Sequence, residues 1–108
     1  MPLFLHQWSY KDEQVRAMVL ERQHREEIVR IATETFGGKL LHFYFCFGEY
    51  DGVAVTEFED NETALACLMS IYADGRLRTV ITTPLFTTQQ SDAAIERAWN
   101  EVANPANT

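Results

Sequence analysis

The chain predicts an α+β domain: a four-stranded antiparallel sheet with helices on one face and an extra C-terminal helix. Three observations point there. Short runs rich in aromatic and β-branched residues alternate with segments of helical period, in the order βα(α)ββαβα. The stretch "CFGEYDGVAV", residues 46–55, sets Gly, Glu, Tyr and Asp between two strand-forming runs, a spacing suited to a hairpin. The 108 residues, 46% of them hydrophobic, suffice for one core and not for two. A strand, a helical crossover, a hairpin, a helix and a final strand together make the ferredoxin-like arrangement.

Each element follows from local chemistry. "PLFLHQWS", residues 2–9, is apolar, aromatic and too short for a typical helix, so it reads as the first strand. The next segment carries an apolar stripe at Ile28, Ile31, Ala32, Thr35 and Phe36, one face of a helix. Extended backward, the stripe misses Val15, Met18 and Val19, so the phase breaks near residue 20. The spacing predicts a short helix over 12–19 and a longer one over 21–36. Glu21–Arg25, Arg22–Glu26 and Glu26–Arg30 stand at i,i+4 and read as a solvated charged face. Gly37 and Gly38 stop the helix.

"KLLHFYFCF", residues 39–47, predicts a second strand, apolar on both faces; "GVAVTEFE", residues 52–59, predicts a third. Asp60 or Asn61 caps the following helix, whose stripe is Ala64, Leu65, Leu68, Met69 and Tyr72, and Gly75 ends it. "RLRTVITTPLF" is the fourth strand. Thr87 with Gln90 forms a capping box for the last helix. The expected organisation is a single domain over 1–103 with a frayed tail over 104–108.

Composition narrows the function classes. The net charge of -7, with scattered basic residues, argues against nucleic acid and against anionic membrane surfaces. No apolar run approaches the roughly 20 residues needed to span a bilayer, and the N-terminus lacks the pattern of a signal peptide. Cys46 and Cys67 make no CxxC motif and no disulfide framework, which suits the cytoplasm; both are expected to be inert buried thiols. His6, His24 and His42 lie on three different elements without ligand spacing, so neither a metal nor any other cofactor is expected.

"GGKLLHFYFCFGEYDGVAVTEFED" resembles the core of the GYD domain family. The family's Gly–x–Tyr–Asp turn is matched by Gly48, Tyr50 and Asp51, with the glycine pair Gly37 and Gly38 upstream. Tyr44, Val53, Ala54 and Glu57 also fall at family-like positions. The opening "MPLFLHQWSYKDEQ" and the closing "LRTVITTPLFT" are similar to the family's first and last strands, so the resemblance covers residues 2 to about 100. One departure is "LERQ", residues 20–23, where the family carries a more obvious break, often with proline. The resemblance implies a ferredoxin-like fold of the dimeric α/β barrel type and carries over no reaction.

A hairpin with Glu49 and Tyr50 at its tip would set Cys46 opposite Val53, Tyr44 opposite Val55, and His42 opposite Glu57. Phe43, Phe45, Phe47, Ala54, Thr56 and Phe58 would then face the helices. On the other face, His42 could act as a general base with its tautomer held by Glu57, while Tyr44 orients a substrate. The plainer reading is a cross-strand His–Glu pair that stabilises the sheet. Cys46, Tyr50 and Asp51 are further candidate ligand contacts, although a purely structural role for the turn is the simpler expectation. A greasy second sheet face needs cover, which predicts a homodimer or higher homo-oligomer. The leading expectation is a small homo-oligomeric protein holding a small organic ligand in a cavity at the sheet face. The alternatives are a cofactor-independent monooxygenase or isomerase and a non-catalytic assembly or regulatory protein.

Overall fold

The computed structural model describes residues 1–103; the expected frayed tail, 104–108, lies outside the described residues. The elements are β1 (Leu3–Tyr10), α1 (Asp12–Glu21), α2 (Arg25–Thr35), β2 (Lys39–Phe45), β3 (Gly52–Glu57), α3 (Asn61–Ala73), β4 (Leu77–Leu85) and α4 (Thr88–Ala103). The four strands form one antiparallel sheet in the order β2-β3-β1-β4. With α2 and α3 on one face, this is the ferredoxin-like arrangement.

β1 sits between β3 and β4, and its side chains alternate in burial along its whole length. Phe4, His6, Trp8 and Tyr10 face the helices and are buried. Leu3, Leu5, Gln7 and Ser9 face the other way. The helix side holds two apolar clusters. One is Trp8, Tyr10, Leu40, Phe43 and Ala54. The other is Phe4, Phe58, Ala64 and Cys67. Gly52 lets the first cluster close: a Cβ there would lie inside 3.0 Å of the Trp8 indole, so only glycine allows the ring to cross β3.

The helix break is real and lies slightly later than the phase of the apolar residues suggests. Arg22 takes φ 51, and α2 starts only at Arg25. Glu21–Arg25 and Arg22–Glu26 therefore straddle the break and form no ion pairs among the described residues. Arg30 instead pairs with Glu26 and Glu27, at 3.6 Å each. The buried face of α2 is Arg25, Val29, Thr33 and Phe36, whereas Ile28, Ile31 and Thr35 are exposed. Thr33 tolerates burial because its hydroxyl donates to Val29 O at 2.8 Å.

α3 shows a similar roll. Ala64 and Cys67 are buried with Leu68 and Ile71 beside them, whereas Leu65, Met69 and Tyr72 of the expected stripe are exposed. With apolar residues nearly all round the helix, periodicity does not choose a face. Tyr72 has its own task at the sheet edge: its hydroxyl accepts from Val80 N at 2.7 Å and donates to Val80 O at 3.3 Å. Both expected caps form. Asp60 Oδ1 accepts from Thr63 Oγ1 at 2.7 Å and Thr63 N at 2.8 Å, which holds its carboxyl below the ordinary 3.8. Thr87 N donates to Gln90 Oε1 at 2.8 Å and Gln90 N to Thr87 Oγ1 at 3.1 Å.

Candidate functional site

The predicted hairpin register is not the observed one. His42 pairs with Val55, Tyr44 with Val53 and Phe45 with Gly52, two residues out of step with the expected pairing. A bulge at Leu41, between Leu40 and His42, then sets Lys39 opposite Glu57. A shift of two preserves the faces, so Phe43, Ala54 and Thr56 point to the helices, and His42, Tyr44, Val53, Val55 and Glu57 to the open side. No hydrogen bond joins His42 to Glu57 among the described residues. The His42 ring stacks instead on Tyr44, with centroids 6.4 Å apart and planes at 9°. Phe47 lies beyond β2 and is fully exposed.

The register slips because the turn is larger than a two-residue tip, and its residues are engaged. Gly48 takes φ 120, open only to glycine at low cost. Cys46 N donates to Asp51 O at 2.9 Å, and Asp51 N donates to Trp8 O at 2.8 Å. Asp51 Oδ2 accepts the Tyr10 amide at 2.9 Å. The turn therefore ties the hairpin to the end of β1, beyond Trp8–Gly52, where the β1–β3 ladder stops. Cys46 is exposed rather than buried, and its thiol donates to Tyr50 O at 3.3 Å. Cys67 is buried as expected, and desolvation pushes its thiol up to about 11.

A largely apolar cavity lies on the helix side of the sheet. It measures about 230 Å³ and opens between the sheet, α2 and α3. Trp8, Ala54 and Phe58 contribute to its floor, Val29, Cys67 and Ile71 to its roof. Five buried residues with polar side-chain groups also line it: His6, Tyr10, Arg25, Thr33 and Thr56. His6 spans three strands, with Nε2 2.7 Å from Thr56 Oγ1 on β3 and Nδ1 2.9 Å from Thr82 Oγ1 on β4. One ring nitrogen donates and the other accepts in either tautomer. Burial lowers its pKa from 6.5 to about 4, so the imidazole is neutral at physiological pH.

The sequence reading placed Arg25 on the solvated charged face of the helix, where it does not lie, and left His6 unassigned. Arg25 stands in a charged run, and nothing in composition marks it as 5% exposed. The available signal was positional: residues 25, 29, 32, 33 and 36 form a second helical stripe beside the more apolar one. For His6, the strict alternation of Phe4, His6, Trp8 and Tyr10 was the clue, since one face of β1 would bury all four.

A four-stranded antiparallel sheet with helices on one face places the chain among ferredoxin-like α+β domains. The chain belongs to the GYD domain family, whose profile matches residues 4–95. No curated protein matches it. Among the described residues, no helix is long and apolar enough to cross a membrane, and no cluster of His, Cys, Asp or Glu could hold a metal ion.

Proposed function

We propose that this chain is the subunit of a homo-oligomer that holds a small organic molecule in the chamber between its sheet and helices, in the cytoplasm. The carrying observation is the cavity of about 230 Å³, apolar over most of its wall and lined by buried polar groups on β1 and α2. A largely apolar hollow with a few convergent polar groups is the ordinary form of a small-molecule site.

Support for a homo-oligomer comes from apolar surface that the single chain leaves uncovered. Leu3, Leu5, Val53, Val55, Ile81 and Leu85 share the open sheet face with His42 and Tyr44. α4 buries no side chain, and Ile95, Trp99 and Val102 make an exposed apolar stripe along it. A second copy is the natural cover for both surfaces. His42, Tyr44 and Glu57 would then lie at or beside a sheet-to-sheet contact. The monooxygenase or isomerase reading asks His42 for a carboxylate orienter, and its cross-strand neighbour is Val55. Asp51 and Tyr50 serve the turn in this reading. An assembly protein without a ligand is the remaining alternative.

The test is an amide-resolved NMR titration with a panel of small aromatic alcohols, amides and acids. We expect shifts at Trp8, Ala64, Cys67 and Ile71. Shifts confined to Val53, Val55 and Tyr44 would move the site to the open face. A panel without effect would leave the assembly reading.

A further inference from the structure

Two polar atoms in the cavity wall are buried without a hydrogen-bond partner among the described residues: Arg25 Nε and the Tyr10 hydroxyl oxygen. Their side chains are 5% and 3% exposed, and the Arg25 guanidinium carbon sits 5.1 Å from the centre of the Tyr10 ring. Gln23 Oε1 accepts one N–H, from Arg25 Nη1 at 3.3 Å, which leaves Nε, on the Nε–Nη2 edge, without an acceptor among the described residues. Among the described residues, no carboxylate forms an ion pair with Arg25. Asp74, the acid beside the cavity, is taken by Arg76 at 2.7 Å, and Glu26 and Glu27 pair with Arg30. A buried guanidinium without an anion is unfavourable. Arg25 is also the first residue of α2, whose N-cap, His24, supplies no side-chain acceptor, so the positive end of the helix adds to the same field.

We infer that the chamber takes a small monocarboxylate with an aromatic or branched apolar body. The inference rests on reading the chamber as a ligand site and adds the charge and size of the ligand. The carboxylate lies along the free edge of Arg25, a planar fork that matches two carboxylate oxygens, and accepts the Tyr10 hydroxyl proton. The apolar body lies against Trp8, Phe58, Cys67 and Ile71. Arg76, the other cation in the lining, is already paired with Asp74, so Arg25 alone is left to meet an anion, which suits a single negative charge. A volume of about 230 Å³, below the roughly 300–1,000 Å³ of sites for drug-sized ligands, suits one ring rather than a nucleotide or a long acyl chain.

The experiment uses the full chain carrying Trp99→Phe. Because the protein has two tryptophans, Trp8 in the cavity wall becomes the only one and its emission reports the site. Benzoate and phenylacetate are titrated against benzamide, phenylacetamide and inorganic phosphate. We expect the acids to bind at least ten-fold more tightly than the amides of the same shape. Arg25→Gln should remove that preference, and Arg25→Lys should retain part of it. Amides binding as tightly as the acids would overturn the carboxylate assignment while leaving the chamber a ligand site, as would phosphate displacing benzoate at equal concentration. No change in Trp8 emission with any acid or amide would overturn both. The acid–amide comparison is made without altering Arg25, so it stands even where the Arg25 variants fail to fold.

Discussion

At the residue scale, His6 shows how one buried polar group links packing to pH. Its folded pKa of about 4 lies below the free value of 6.5. On acidification the unfolded chain therefore takes up the proton first, and stability rises with pH between those values. His6 costs nothing above about pH 6.5, and its contribution is lost as pH falls toward 4, by at most about 3 kcal/mol. Unfolding free energies at pH 7 and 4.5 should show this slope, and His6→Gln should flatten it in that window. An unchanged slope in the variant would assign the effect elsewhere. Gly52 is the other sensitive position. Gly52→Ala forces Cβ into the Trp8 indole and should destabilise the fold by about 1–3 kcal/mol in denaturant titration. A neutral result would mean that the indole has room to move.

At the element scale, the GEYD turn is a clamp. Asp51 bonds to the Tyr10 amide just beyond Trp8–Gly52, where the β1–β3 ladder ends, so it replaces a missing strand partner. Asp51→Ala should cost about 1–3 kcal/mol because it leaves a part-buried amide unmet, and hydrogen exchange at Tyr10 should quicken. Asp51→Asn keeps an acceptor oxygen and should retain most of the protection. A stable Asp51→Ala with a slow Tyr10 amide would return Asp51 to the candidate ligand contacts. The caps at Asp60 and Thr87 were legible in the chain because each depends on a side chain and a backbone amide within one turn.

At the scale of the whole molecule, the radius of gyration is 17.9 Å with extents of 65 × 29 × 22 Å, against about 13 Å expected for a compact chain of this length. α4, about 24 Å long, contributes a helix with no buried side chain. Trp99 remains 66% exposed on it. For a homo-oligomer we expect light scattering to give at least twice 12.4 kDa. Val55→Lys on the open sheet face and Trp99→Ser on α4 should each lower the mass if both surfaces are covered by another copy. A wild-type mass of one chain at working concentration would end the oligomer reading.

Period-two and helical patterns determined the order of the elements, the α1–α2 break and the faces of β2 and β3, because alternation and phase are local properties. They also identified the caps and the turn residues. Three matters were decided only in the folded chain. The hairpin register depends on how Asp51 reaches β1 across the sheet, so the expected His42–Glu57 pairing dissolved. The roll of α2 depends on what packs beneath it, and so a residue from a charged run, Arg25, came to rest in the cavity wall. The chamber itself exists because His6, Tyr10 and Arg25, separated by up to 19 positions in the sequence, meet only when β1 and α2 pack together. Spacing along a chain records which side of an element a residue occupies; only the packing of one element on another decides what that side faces.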